Sequence, residues 1–251
     1  MPHDVTISLG PGRQVPAAYF PIPGATEPRP GVLVIHELQG LTPEMLRLAG
    51  RFAGAGFVAL APDFLSGLGP KPVCIARFVR GVSAARTGRP YRQLEAARAW
   101  LAASPEVAGL PIGVAGFCVG GGFALLYAAG AEVHAVAPFY PAVPDDDASL
   151  AGLCPVVASF GGRDRVFGKG GRRLEAALTR LGIEHDVKTY PEAGHGFMAR
   201  YDGLTGWLGR RIPTHVGHHP AAAADAWART IAFFRAHLDT PVPEISGEPA
   251  G

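Results

Sequence analysis

The chain has 251 residues, of which 48% are hydrophobic and 18% are charged, and its formal net charge is +2. This composition excludes a globally disordered chain and provides enough apolar side chains for a large core. No run of lysines and arginines is long enough for a phosphate-binding stripe, and no uncharged apolar stretch reaches the roughly 18 residues of a membrane span. We therefore expect neither nucleic acid nor a membrane as a partner.

The three cysteines, Cys74, Cys118 and Cys154, are odd in number and form no C-x-x-C pair. This pattern argues against a disulfide framework and against a structural zinc site. The first residues lack a charged segment followed by an apolar one, so no signal peptide is expected. These features favour a reducing, cytoplasmic location, and they call for no cofactor.

The amino-terminal part predicts a hairpin, a buried strand and a helix. Two short β-like segments, residues 5–9 and 14–20, are separated by proline and glycine and predict a hairpin at a sheet edge. The continuous apolar run at 31–37 is typical of a strand buried on both faces of a parallel sheet. Thr42 is a candidate cap for the helix that follows, with Pro43 in its first turn.

The rest of the chain alternates between strand and helix patterns. Further strands are predicted at residues 57–64, 112–117, 133–140, 154–161 and 184–191. Further helices are predicted at residues 91–104, 121–130, 171–182 and 221–238. This alternation predicts an α/β fold with one mostly parallel sheet covered by helices on both faces. Residues 66–90 predict an irregular segment, and we expect a single domain over 1–239 followed by a mobile tail at 240–251.

The stretch Gly116-Phe117-Cys118-Val119-Gly120 has the G-x-nucleophile-x-G pattern of a strand-to-helix elbow. The flanking glycines are needed because the nucleophile backbone is strained and side chains would collide across the turn. The amino-terminal end of the next helix favours a thiolate and an oxyanion. The alternative is that Cys118 is only a small residue in a glycine-rich turn, which is our interpretation of Cys74 and Cys154 in their own surroundings.

Two residues downstream complete a catalytic order of nucleophile, acid and histidine. Asp164 follows one predicted strand in "GGRD", and His195 follows the next in "EAGHGF". Both lie on loops at the carboxyl edge of the sheet, where ligands usually bind. Asp164 would orient His195, which would share the proton of Cys118. Each is weak alone, because aspartate is common in turns and a histidine in a glycine loop is often incidental.

An oxyanion hole needs two backbone amides, one after the nucleophile and one after an early strand. Val119 supplies the first candidate and Leu38, at the end of the strand in "VIHELQGL", supplies the second. Glu37 precedes Leu38, and its carboxylate would point towards the elbow. The alternative for Glu37 is an exposed charge at a strand end. The adjacent His36 faces away from Glu37 and is predicted to be a packing residue.

Five motifs together resemble the dienelactone hydrolase family of α/β-hydrolases: "VIHELQG", "GFCVGGG", "GGRD", "EAGHGF" and "DAWARTIAFF", spread from about residue 30 to 238. The resemblance implies a single α/β-hydrolase domain with a triad of Cys118, His195 and Asp164. It also implies that Glu37 contacts the resting cysteine, so that the thiol stays mostly neutral until substrate binds. The implied reaction is hydrolysis of a lactone or ester through an acyl-cysteine.

The similarity weakens where the family binds a substrate carboxylate with arginines. Candidate arginines precede the elbow or follow the predicted catalytic histidine: Arg77, Arg80, Arg86, Arg89 and Arg200. We expect Arg80 and Arg200 to contact substrate, although neither lies in an alignable motif and a solvated loop is the alternative. A different ester or a thioester therefore remains open as substrate.

Two further interpretations concern features outside the triad. The histidines His215, His218 and His219 lack a regular scaffold and a carboxylate partner, so no metal site is predicted there. The acidic loop at 144–150 is predicted to cap a helix rather than to bind a cation.

Alternatives to a small-lactone hydrolase are a broad-range carboxylesterase or thioesterase, and a non-catalytic binding protein of the same fold. We expect a monomer or a small homo-oligomer.

Overall fold

The computed structural model describes residues 2–64, 88–201, 209 and 211–239. Several predictions lie outside these residues: those for Cys74, Arg77, Arg80 and Arg86, most of the irregular segment at 66–90, and the tail at 240–251.

One eight-stranded sheet forms the centre of the described chain. Its strands are β1 (His3–Ser8), β2 (Gln14–Phe20), β3 (Gly31–Ile35), β4 (Val58–Pro62), β5 (Ile112–Phe117), β6 (Ala135–Phe139), β7 (Val156–Gly161) and β8 (His185–Tyr190). Their order across the sheet is β1-β2-β4-β3-β5-β6-β7-β8. The pairs β1–β2 and β2–β4 are antiparallel and all others are parallel, which confirms the edge hairpin and the mostly parallel sheet.

Within the described residues, five α-helices cover the two faces of this sheet. They are α1 (Pro43–Gly54), α2 (Arg89–Ala103), α3 (Val119–Ala128), α4 (Gly170–Leu181) and α5 (Pro220–Leu238). Successive β3 residues point to opposite faces, because side chains alternate along a strand. Val32 and Val34 join a core with apolar residues of α1 and α5, whereas Leu33 and Ile35 join one with α2, α3 and α4. None of the helices within the described ranges is long and apolar enough to cross a bilayer.

Two predicted caps are confirmed by hydrogen bonds. The hydroxyl of Thr42 accepts from the Met45 amide at 3.3 Å, and Pro43 begins α1. In the acidic loop, Asp146 accepts from the Ser149 amide at 2.7 Å and caps a short 3-10 helix at Asp147–Leu150. Both caps satisfy an amide that has no partner inside its own helix.

The turn between β5 and α3 is tighter than predicted. We expected α3 to begin at residue 121, but it begins at Val119, so Cys118 alone separates it from β5. The parallel strands β3 to β8 end at the same edge, and this turn lies there between the ends of β3 and β6.

Candidate active site

Cys118 occupies a strained position at the elbow between β5 and α3. Its φ of 55° and ψ of −120° lie in a region that side-chain-bearing residues rarely adopt. A Cβ at Gly116 would collide with the Gly120 carbonyl, and a Cβ at Gly120 would fall 2.5 Å from the carbonyl oxygens of Ile35 and His36. The glycines therefore permit the close approach that the sequence pattern predicted. The Cys118 amide donates to Phe139 O at 3.0 Å, which fixes the elbow to the end of β6.

The structure brings Asp164 and His195 together. Asp164 Oδ2 lies 2.7 Å from His195 Nδ1, and Asp164 Oδ1 accepts from the amides of Val166 and Phe167, each at 3.0 Å. Asp164 is 2% exposed, so its carboxylate is held by three hydrogen bonds in a site nearly closed to water. Because the carboxylate accepts from Nδ1–H, the other ring nitrogen, Nε2, is the one left to exchange a proton with another group.

The Cys118 thiol lies close enough to His195 to contribute to the pKa of the imidazole, which supports the predicted triad. Burial disfavours the charged imidazole, but the hydrogen bonds to Asp164 and Cys118 outweigh burial and raise the pKa of His195 to about 10. The ring also lies between Tyr140 and Phe167, with centroid distances of 4.9 and 5.1 Å. The hydrogen bond to the Asp164 carboxylate thus favours a protonated ring at His195.

The two predicted oxyanion donors stand on either side of the close contact between Gly120 and the end of β3. Val119 is the first residue of α3, and Leu38 lies in the turn after β3. Neither amide donates a hydrogen bond to any residue in the described ranges. Both remain available for a developing oxyanion, which supports the predicted pair without testing it.

Glu37 is buried, and two tyrosines that the sequence analysis did not identify bind it. Tyr140 donates to Glu37 Oε1 at 3.0 Å, and Tyr201 donates to Glu37 Oε2 at 2.6 Å. At 4% exposure, Glu37 is not the exposed strand-end charge that we considered as an alternative. Burial raises the pKa of Glu37, and the two hydroxyls and the nearby His195 partly offset this effect. The recorded side-chain partners of the two Glu37 oxygens are Tyr140 and Tyr201, so the contact of Glu37 with a resting cysteine that the resemblance implies stays a prediction.

His36 shapes the turn that carries Glu37 and Leu38. Its Nδ1 lies 2.7 Å from Glu37 O, and its Nε2 accepts from the Phe64 amide at 3.2 Å. A carbonyl can only accept and an amide can only donate, so these partners assign the proton to Nδ1. Burial lowers the pKa of His36 and favours this neutral ring. The predicted packing role is confirmed by its complete burial, and the hydrogen bonds to both strand ends add a positioning role.

The structure places the arginine candidates unequally. Arg200 is exposed, and its backbone amide donates to Glu44 Oε1 at 2.8 Å. Arg89 lies at the start of α2. The substrate contact predicted for Arg200 stays a prediction, and Arg80 lies outside the described residues.

Cys154 differs from Cys118 in its surroundings. Burial raises the pKa of the Cys154 thiol to about 12, so it is a poor nucleophile near neutral pH. The carboxyl-terminal histidines also have structural contacts, since His218 Nδ1 lies 2.9 Å from Phe197 O and His219 caps α5 through the Ala222 amide. Within the part of the chain that is described, no three metal-binding side chains form a cluster.

Comparison with known proteins shows the family to which the chain belongs. The sequence profile of the dienelactone hydrolase family matches residues 17–238. This chain belongs to the dienelactone hydrolase family. It is 27% identical over 241 residues to a putative carboxymethylenebutenolidase of Synechocystis sp., with 88% of this chain and 92% of the relative covered.

Solved structures support the same family and its fold. A dienelactone hydrolase-like promiscuous phosphotriesterase from metagenomic libraries is 26% identical, with a TM-score of 0.81 over 95% of this chain and 98% of that one. An α/β-hydrolase from a deep-sea metagenome library is 14% identical, with a TM-score of 0.64 over 95% and 99%, and is alike in fold alone. The protein is a single-domain α/β-hydrolase and a dienelactone hydrolase-like hydrolase.

Proposed function

We propose that this protein hydrolyses a small lactone or ester through an acyl-cysteine on Cys118. The observation that carries the proposal is the strained Cys118 elbow, close enough to His195 to affect its pKa, together with the 2.7 Å between His195 Nδ1 and Asp164 Oδ2. The arrangement supplies a nucleophile, a proton carrier and a residue that orients it. The relatives named as carboxymethylenebutenolidases support a lactone as the substrate class.

The reaction begins when the Cys118 thiolate attacks the substrate carbonyl carbon. The carbonyl oxygen becomes an oxyanion, which the amides of Leu38 and Val119 stabilise. The intermediate collapses as the carbon–oxygen bond to the leaving alkoxide breaks, and His195 gives its Nε2 proton to that oxygen. The product of this half-reaction is a thioester on Cys118.

The second half-reaction restores the enzyme. His195 takes a proton from water while the water oxygen attacks the thioester carbonyl, and the Cys118 thiolate then leaves. One water is consumed and one carboxylic acid is formed, so no redox partner is needed. In a lactone the acid and the alcohol stay in one molecule.

The experiment is a panel of dienelactones, aryl esters and acyl thioesters, assayed with wild type, Cys118→Ala and Cys154→Ala. We expect Cys118→Ala to lose about 10³-fold or more of kcat/KM on every substrate that wild type hydrolyses. Cys154→Ala is the matched control and should keep its activity, because the half-buried Cys154 thiol lies outside the proposed triad. Retention of turnover by Cys118→Ala would refute the proposed nucleophile.

The same panel separates the substrate alternatives. A strong preference for the dienelactones supports a lactonase. Similar rates on aryl esters or thioesters support a broad-range carboxylesterase or thioesterase on the same site. Because one structurally similar protein is a promiscuous phosphotriesterase, a phosphotriester is a further arm of the panel.

A further inference from the structure

Tyr201 joins the loop that carries His195 to the end of β3. Its hydroxyl donates to Glu37 Oε2 at 2.6 Å, a short distance typical of a bond to a charged acceptor. Its ring lies against Gly196, where an added Cβ would fall 2.7 Å from the Tyr201 hydroxyl oxygen. Gly196 has a φ of +67°, and the Ala199 amide donates to Gly196 O at 3.0 Å. The chain therefore turns back after His195 and places the Tyr201 ring beside Gly196.

The residue before Tyr201 anchors the same loop a second time. The Arg200 amide donates to Glu44 Oε1 at 2.8 Å, and Arg47 holds the same carboxylate with bonds of 2.8 and 2.6 Å. Glu37 and Glu44 flank the turn that contains Leu38 in sequence. Two consecutive residues thus fasten the histidine loop to both sides of the predicted oxyanion turn.

We propose that Tyr201 is a positioning residue. By binding Glu37, it keeps the His195 ring in a fixed position relative to the Cys118 thiol and the Leu38 amide. The proposal rests on the proposed function, because it takes those three groups as the reacting constellation. Its physical basis is that a misplacement of about 1 Å in such a constellation costs about 10²-fold in rate. A loop that otherwise lacks regular structure needs a fixed tether to keep that geometry.

The charges around Glu37 make a second effect of Tyr201 measurable. Glu37 is faced by Tyr140, Tyr201 and His195, and Glu44 is near enough to repel it. Loss of the Tyr201 hydroxyl would raise the pKa of Glu37 further, and a neutral Glu37 would favour the Cys118 thiolate. Loss of His195 positioning would instead disfavour the thiolate, so the two effects change the reactivity of Cys118 in opposite directions.

The test compares Tyr201→Phe with Tyr190→Phe. The control also removes a hydroxyl that donates to a carboxylate, Asp225 Oδ2 at 2.7 Å, but that carboxylate is half-exposed and lies outside the triad. We expect Tyr201→Phe to lower kcat by about tenfold or more, because His195 loses the tether that keeps it in the reacting geometry. We expect KM to change by less than about twofold. Iodoacetamide should alkylate Cys118 several-fold more slowly at pH 7, and Tyr190→Phe should match wild type in all three measurements.

A double-mutant cycle tests whether Tyr201 acts through Glu37. In a Glu37→Ala background the hydroxyl has no acceptor, so Tyr201→Phe should slow Cys118 alkylation no further. Thermal midpoints confirm that the variants fold. Glu37→Gln keeps one oxygen acceptor, so its kcat and its rate of Cys118 alkylation should fall less than those of Glu37→Ala.

Four results would overturn the positioning role. They are unchanged kcat and alkylation in Tyr201→Phe, faster alkylation in that variant, an equal loss in Tyr190→Phe, and an undiminished Tyr201→Phe effect without Glu37. Failure of the proposed function is a separate result, seen as turnover by Cys118→Ala.

Discussion

At the scale of single residues, the site depends on how His195 is held. Its imidazole is 6% exposed, has Asp164 on one nitrogen and lies close enough to the Cys118 thiol for that thiol to affect its pKa. Burial alone would favour the neutral ring, so its raised pKa depends on these two partners. The Asp164 carboxylate is in turn fixed by the amides of Val166 and Phe167, which leaves it little freedom to move away.

Asp164→Asn tests this dependence through pH. An active thiolate–imidazolium pair is lost at high pH, when the imidazolium gives up its proton. The wild-type alkaline limb should follow the His195 pKa of about 10. Asparagine removes the acceptor charge and so lowers that pKa, and the alkaline limb of kcat/KM should move to lower pH. The pH–rate profile of both proteins measures the shift, and an alkaline limb that stays in place would contradict the assigned role of Asp164.

At the scale of elements, the site depends on how closely α3 approaches the end of β3. Gly120 allows this approach because it has no side chain. An added Cβ would lie only 2.5 Å from the carbonyl oxygens of Ile35 and His36. The contact brings the first amides of α3 beside the turn that holds Leu38. The two predicted oxyanion donors therefore depend on one backbone-to-backbone contact.

Gly120→Ala should separate these two elements. We expect activity to fall by about 10²-fold and the free energy of unfolding to fall by about 1–3 kcal/mol, since the backbone must shift to relieve the collision. Gly54→Ala is the matched control: it lies in α1 with no heavy atom within 4 Å of its added Cβ. It should keep activity and stabilise the protein by about 0.5–1 kcal/mol. Denaturant unfolding and kcat/KM measure both effects, and a fully active, equally stable Gly120→Ala would contradict the argument.

At the scale of the whole molecule, much of the fold was predictable because its signals are local. Buried parallel strands are continuous apolar runs, and the elbow is a short pattern of glycines between a strand and a helix. The meeting of Cys118, Asp164 and His195 followed from topology, since residues after parallel strands reach the same sheet edge. The edge hairpin and the cap at Thr42 were predictable for the same reason.

The contacts around Glu37 were not predictable, because they depend on loop paths. Tyr201 lies in a loop with no periodic signal, and it reaches Glu37 only because the chain reverses at Gly196. Tyr140 had a weak signal, because it directly follows β6, which neighbours β5 at the edge where the site lies. The hydrogen bonds of His36 were hidden because strand alternation indicates the face on which a residue lies and not its partners.

The central claim is that Cys118 carries the acyl group during turnover, and peptide mass spectrometry after rapid acid quenching tests it most directly. With an aryl ester that wild type hydrolyses, the peptide containing Cys118 should gain the mass of the acyl group. The peptide containing Cys154 should stay unmodified, and Cys118→Ala should show no acylated peptide and no turnover. An acyl group on another residue, or continued turnover by Cys118→Ala, would contradict the account.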